Sequence, residues 1–294
     1  MALSKENTRI VADSSSDVLN LSEIPFASAP LKIITSVKEY VDDASLNVEQ
    51  MVDELRSYSG QSSTSCPNVE DWLSAFGEAE HVFCVTISGS LSGSYNTALL
   101  AAKIYETDHP DRRVFVVNSL STGPEMKLII ERLRMLVLAE KSFDDICKAV
   151  THYHQKHTGL LFVLESMRNL ANNGRVSPLT AKLAGLLGIR VVGKASDEGT
   201  LEVLNKCRGM SNALETVVKH MKSLGYNGGK VKISHCFNEE AVQKLKDMIK
   251  AEFEKAKVEI YGVRGLCAFY AEKGGLLIGF EKAMKKLQKA PDPA

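Results

Sequence analysis

The sequence predicts an α/β protein of two α/β domains, the first built on a largely parallel sheet. Two observations predict this. Strand-like apolar runs alternate with helical patterns and polar turns through the first half, the signature of βα units. The 294 residues also suffice for two medium domains, each with its own core. The boundary is placed near residue 158, dividing the chain into segments 1–157 and 158–290.

Taken in order, Arg9-Ile10-Val11-Ala12 reads as a buried strand, and Asp13-Ser14-Ser15-Ser16-Asp17 as the polar turn that ends it. Open α/β sheets place ligand contacts at such strand ends, although Ser and Asp there also serve as helix caps. Leu31-Lys32-Ile33-Ile34-Thr35 is a second strand, with residues 37–41 as its hairpin partner. Val48, Met51, Val52 and Leu55 recur at helical spacing, so one face of a helix over 47–58 packs inward. A hydroxyl-rich loop follows, Gly60-Gln61-Ser62-Ser63-Thr64-Ser65-Cys66-Pro67-Asn68, and then a helix over 69–76 carrying Trp72. The run His81-Val82-Phe83-Cys84-Val85-Thr86-Ile87 is a strand, and Ser88-Gly89-Ser90-Leu91-Ser92-Gly93-Ser94 turns it into a helix reaching Tyr105. Unpaired amides and the positive end of a helix dipole favour an anion at such a turn. A strand over 113–117, a polar turn over 118–124 and helices over 126–140 and 143–157 complete the first part.

The second part opens with a strand over 158–164 and a short helix over 165–171. Asn172-Asn173-Gly174-Arg175-Val176-Ser177-Pro178 is a tight turn, with Pro178 placed to start the next helix. Segments 189–193 and 200–205 form a hairpin, and a helix covers 211–224. Val231-Lys232-Ile233-Ser234 is a strand ending at His235, and Asn238 is placed to cap a helix reaching Ala256. A strand over 258–263, a strand over 276–280 and a basic closing helix finish the chain, with residues 291–294 frayed.

Lysine plus arginine equals aspartate plus glutamate, 36 of each, so no global basic field draws nucleic acid or an acidic membrane. The six cysteines form no C-x-x-C pair and read as reduced thiols. The first eight residues are polar and no window is long and apolar enough to cross a bilayer, which predicts a soluble cytoplasmic protein. His152, His154 and His157 do not share one helix face, so no metal site is predicted there.

Catalytic fingerprints are missing. Gly89-Ser90-Leu91-Ser92-Gly93 has leucine where a nucleophile elbow has serine, and there is no G-x-G-x-x-G, phosphate loop or H-E-x-x-H. Convergent hydroxyls without a nucleophile–base pair suit a binder better than an independent enzyme, and no catalytic residue is assigned.

Together these segments resemble the DegV family, bacterial fatty acid-binding proteins that serve as acyl-carrying subunits of fatty acid kinase. The likeness runs from about residue 9 to residue 281 and is carried by several motifs. They are Asp13-Ser14-Ser15-Ser16-Asp17, Thr64-Ser65-Cys66-Pro67, Ile87-Ser88-Gly89-Ser90-Leu91-Ser92-Gly93-Ser94-Tyr95, Asn173-Gly174-Arg175-Val176-Ser177 and Ile233-Ser234-His235. The resemblance implies a long-chain fatty acid lying between the two domains, with its carboxylate on Thr64, Ser65, Ser92 and Gly93. Asp13, Ser14 and His235 would support that site from behind. Arg175 looks like the arginine associated with the partner kinase and phosphoryl transfer. The chain itself would carry no cofactor, with ATP and metal on the kinase.

Two departures stand out. Where the family often has a histidine near the C-terminus, this chain reads Gly265-Leu266-Cys267-Ala268-Phe269-Tyr270-Ala271, and the lysine-proline after the Gly-Arg turn is Arg190-Val191. Two other functions compete: an enzyme acting on a small anionic ester with Ser92 or Thr64 as nucleophile and His235 as base, and a lipid binder with no kinase role.

Overall fold

The computed structural model describes residues 3–182, 184 and 188–283. In chain order the first part contains β1 (Thr8–Asp13), β2 (Phe26–Ala29), β3 (Lys32–Thr35), β4 (Glu39–Val41), α1 (Val48–Ser57), β5 (Ser62–Ser65), α2 (Val69–Phe76), β6 (His81–Thr86), α3 (Ser94–Asp108), β7 (Arg113–Asn118), α4 (Pro124–Leu138) and α5 (Phe143–His157). Strands β2, β1, β6 and β7 form, in that order, a sheet in which every pairing is parallel. Such a sheet is covered on both faces, which is why β1 and β6 are buried almost throughout. One face packs Ile10, Phe83 and Val85 against Ile129 and Leu133 of α4; the other packs Val11, Val82 and Cys84 against Trp72, Phe76 and Ala101. The helices begin where local chemistry starts them. Asn47 accepts from the Gln50 amide, Asn68 and Asp71 form a capping box, Pro124 opens α4, and Ser142 accepts from the Asp145 amide.

The second part contains β8 (Thr158–Leu164), α6 (Arg168–Asn172), α7 (Pro178–Ala181), β9 (Ile189–Ala195), β10 (Leu201–Arg208), α8 (Met210–Ser223), β11 (Lys230–His235), α9 (Glu239–Glu252), β12 (Lys257–Gly262), α10 (Gly265–Ala271) and β13 (Leu276–Glu281). Its six strands run in the order β10-β9-β8-β13-β11-β12, parallel only between β11 and β12. Alternation along β8 sends Leu161 and Val163 to the core under α8 and α9, and Leu160, Phe162 and Leu164 to the opposite face. That opposite face meets the first part. Helix α4 lies on β13, where a side chain at Gly279 would come within 2.6 Å of the Glu125 amide nitrogen, so the contact requires glycine.

The mixed α/β fold with a parallel sheet in its first part is as the sequence predicts. Several local readings are corrected. The hydroxyl-rich loop at 60–68 contains a strand, β5, which with β4 flanks β3 in a small antiparallel sheet. Strand β2 and helix α10 have no counterpart in the sequence reading. Asn238 does not cap α9 with its side chain, which donates instead to the Gly274 carbonyl. The closing basic helix and residues 291–294 lie outside the described residues.

Candidate functional site

Between the serine turn after β6, the inner face of β8, the β9–β10 hairpin and α10 lies a cavity enclosing about 790 Å³ of unfilled space, its open mouth included. Its walls are largely apolar, with Leu160, Phe162, Leu164, Leu201, Leu266 and Leu277 prominent. The polar side chains Thr64, Ser92, Arg175 and Tyr270 also line it. These are linked. The Thr64 and Tyr270 hydroxyls are 2.8 Å apart, the Arg175 guanidinium lies 5.8 Å from the Tyr270 ring centre, and Arg175 Nε donates to the Leu91 carbonyl at 3.0 Å. Ser92 is the next residue after Leu91.

The first part builds most of this cluster. Thr64 pairs across β5 with Ile33, fully buried on β3, and so shares its inward face. Ser65 is next on the strand, and strand alternation turns its side chain away; it does not line the cavity. Ser92 precedes α3, a helix of 15 residues with no acidic group in its first turn. Its Oγ accepts from the Ser94 amide at 3.2 Å. Gly93 is the N-terminal cap of α3 and lies against the β5–α2 connection, where a side chain would sit 3.3 Å from Cys66 Sγ. The positive end of the α3 dipole therefore points to the polar side of an otherwise apolar cavity.

Asp13 holds this turn from beneath. Fully buried, it accepts from Ser15 Oγ at 2.5 Å, the Ile87 amide at 2.9 Å and Ser94 Oγ at 2.6 Å. Burial outweighs those hydrogen bonds and pushes its carboxyl above the ordinary range. Ser14 accepts from the Leu31 amide at 3.0 Å. His235 is not brought here. It lies in a separate groove with Phe237, Glu239 and Arg264, because β13 stands between β11 and β8. Its Nδ1 accepts from the Asn238 amide at 3.2 Å, and burial lowers its pKa.

The second part closes the cavity over the serine turn. Ser88 Oγ donates to the Gly199 carbonyl and Ser90 Oγ to that of Glu198, both at 2.6 Å, at the tip of the β9–β10 hairpin. Tyr270, which sequence reading did not single out, arrives on α10. Asp42 fixes that helix by accepting from the Gly265 and Leu266 amides at 2.8 and 2.9 Å, and Asp17 accepts from the Arg264 amide at 2.8 Å. No local motif marks Tyr270; its only signal is the missing histidine in that segment.

An apolar cavity with hydroxyls and a helix terminus at one side defines a protein built to bind an amphiphile whose head group is polar or anionic. The family model described as uncharacterised protein, DegV family, matches residues 7–283, and the chain belongs to that family. A DegV domain-containing protein of Streptococcus pneumoniae is 43% identical over 277 residues, covering 93% of this chain and 98% of the relative. Among solved structures, a DegV family protein from Eubacterium eligens loaded with heptadecanoic acid is 42% identical with a TM-score of 0.92, covering 94% of this chain and 100% of that one. The Streptococcus pneumoniae Fatty Acid Kinase (Fak) B3 protein, loaded with linoleic acid, is likewise 42% identical with a TM-score of 0.92, covering 94% of this chain and 99% of that one. Among the described residues no helix is long and apolar enough to cross a membrane.

Proposed function

We propose that this protein binds one long-chain fatty acid in the cavity and presents its carboxylate to a partner kinase for ATP-dependent conversion to acyl phosphate. The observation that carries the reading is the apolar cavity lined by Thr64 and Ser92, in a chain 42% identical to two proteins whose structures hold fatty acids. Each CH₂ leaving water contributes roughly 0.8 kcal/mol, which holds the tail; the carboxylate, once desolvated, needs several donors. In this reading Thr64 and Ser92 donate to it, the Gly93 amide assists, and the α3 dipole supports the charge. Ser65 then acts only through its neighbour. Segments 1–157 and 158–290 act as the two halves of the clasp, and the serine turn meeting the β9–β10 hairpin supports that division.

The kinase brings ATP and metal. A carboxylate oxygen attacks the γ-phosphorus and ADP leaves, so this chain contributes orientation and exclusion of water. Arg175, held beside the serine turn by the Leu91 carbonyl, is the residue we assign to the partner or to the transferring phosphoryl group. The small-ester reading loses the base it names, since His235 lines another groove.

Native mass spectrometry of the purified protein, followed by lipid analysis of what denaturation releases, tests the ligand. A stoichiometric fatty acid is expected; a well-folded sample that holds none, even when offered free fatty acids, overturns the reading. Incubation with a fatty acid kinase and ATP tests the second half, and failure to form acyl phosphate from bound acid would leave a lipid binder without a kinase role.

A further inference from the structure

The Thr64–Tyr270 contact joins residues far apart in the chain at the polar side of the cavity. The two hydroxyls, 2.8 Å apart, carry two protons between them, and only one is used in bonding each other. Tyr270 is held for this contact. Its helix is anchored by Asp42, its ring packs edge-on against Phe269 at 4.8 Å between centres, and Arg175 lies over its face. Burial raises the pKa of its phenol, so Tyr270 remains a protonated donor at neutral pH.

We propose that Tyr270 is a head-group ligand, its phenol and the Thr64 hydroxyl turning from each other to donate together to one carboxylate oxygen. This rests on the fatty acid reading given above and adds a donor from the second part of the chain to those from the first. The geometry permits it: an oxygen about 2.7 Å from each hydroxyl completes a near-equilateral triangle on the existing 2.8 Å edge. With Tyr270 engaged, the carboxylate bridges β5 and α10 in place of their direct hydrogen bond.

The test is Tyr270→Phe, which keeps the ring, its packing and the Arg175 contact while removing one proton and one oxygen. Binding of radiolabelled oleate and of methyl oleate is measured by equilibrium dialysis for wild type and variant, alongside their melting temperatures. Loss of a charge-assisted donor is expected to weaken oleate binding by about tenfold or more, with the ester changing less than about threefold. Oleate binding unchanged, or acid and ester weakened equally, overturns the Tyr270 assignment while leaving the fatty acid reading intact. Wild-type protein that binds no oleate overturns both.

Discussion

The Ser88 hydroxyl donates to the Gly199 carbonyl across 2.6 Å, fastening the turn after β6 to the tip of the β9–β10 hairpin. Both partners are specific to the contact. Ser88 is fully buried, and Gly199 has φ of +75° with its missing Cβ position only 2.2 Å from Ser88 Oγ. Ser88→Ala is expected to cost about 1–3 kcal/mol by leaving the carbonyl without this donor. Gly199→Ala is expected to cost more, through backbone strain and collision together. Urea denaturation measures both, and a Ser88→Ala midpoint equal to wild type would remove the contact from any account of stability.

The paired variant Thr64→Ala, Ser92→Ala is expected to purify without stoichiometric lipid while keeping its circular dichroism spectrum. Each lost charge-assisted donor weakens binding by about 1.5–3 kcal/mol. Retention of a full complement of fatty acid in the double variant would place the carboxylate elsewhere.

Asp17 predicts an unusual pH dependence. Its Oδ1 accepts from the Arg264 amide, but Oδ2 is buried without a hydrogen-bond partner, and burial first, then the charge of Asp42, pushes its pKa up to about 7. The folded state therefore holds a proton that the unfolded chain gives up near pH 4. This group's contribution makes stability fall as pH rises from about 4 to about 7, by on the order of 4 kcal/mol in total. Asp17→Asn keeps an acceptor for Arg264 and tolerates the positive φ of this position. The variant is expected to be more stable than wild type at pH 8, with the gap narrowing toward pH 4. Thermal denaturation across that range checks it, and parallel curves for the two proteins would refute the assignment.

Lys232, only 6% exposed, pairs with Glu131 of α4 and Glu259 of β12. Lys127 also reaches Glu259, at 2.6 Å, and Lys230 reaches Glu131 at 3.2 Å. Lys232→Met removes the cation that Glu131 and Glu259 share, leaving Glu131 to Lys230 and Glu259 to Lys127, and is expected to cost about 1–3 kcal/mol. Adding Glu131→Gln is expected to restore part of that loss, which a double-mutant cycle in urea would measure.

At Gly279 any side chain meets the backbone of α4, 2.6 Å from the Glu125 nitrogen and the Pro124 carbonyl carbon. Gly279→Ala is expected to destabilise by about 1–3 kcal/mol, and a larger residue by more. A stability loss of less than about 0.5 kcal/mol in urea denaturation would mean that α4 moves aside freely.

What the sequence reveals follows from how local each signal is. The parallel sheet is legible because β1 and β6 are continuous apolar runs, and the helices because caps such as Asn68 and Pro124 sit beside periodic faces. Strand β5 is hidden because Ser62-Ser63-Thr64-Ser65 has loop composition; pairing with β3 makes it a strand, and tertiary context overrides propensity. That pairing also separates Thr64 from Ser65, a distinction no motif contains. His235 reads as a site residue because it ends a strand, but the order β8-β13-β11 carries it away from the cavity. Tyr270 is invisible for the opposite reason, since 206 residues separate it from Thr64 and nothing near it in sequence announces the contact.

That separation also governs when the protein becomes competent during synthesis. The serine turn, the small sheet and Thr64 leave the ribosome early, but α10 belongs to the last stretch of the described chain. Closing so long a loop is slow and follows the local pairings. A nascent or truncated chain that ends before α10 lacks Leu266, Tyr270 and Leu277, three residues that line the cavity. The cavity is thus complete only once synthesis has passed β13, which supplies Leu277 to its wall.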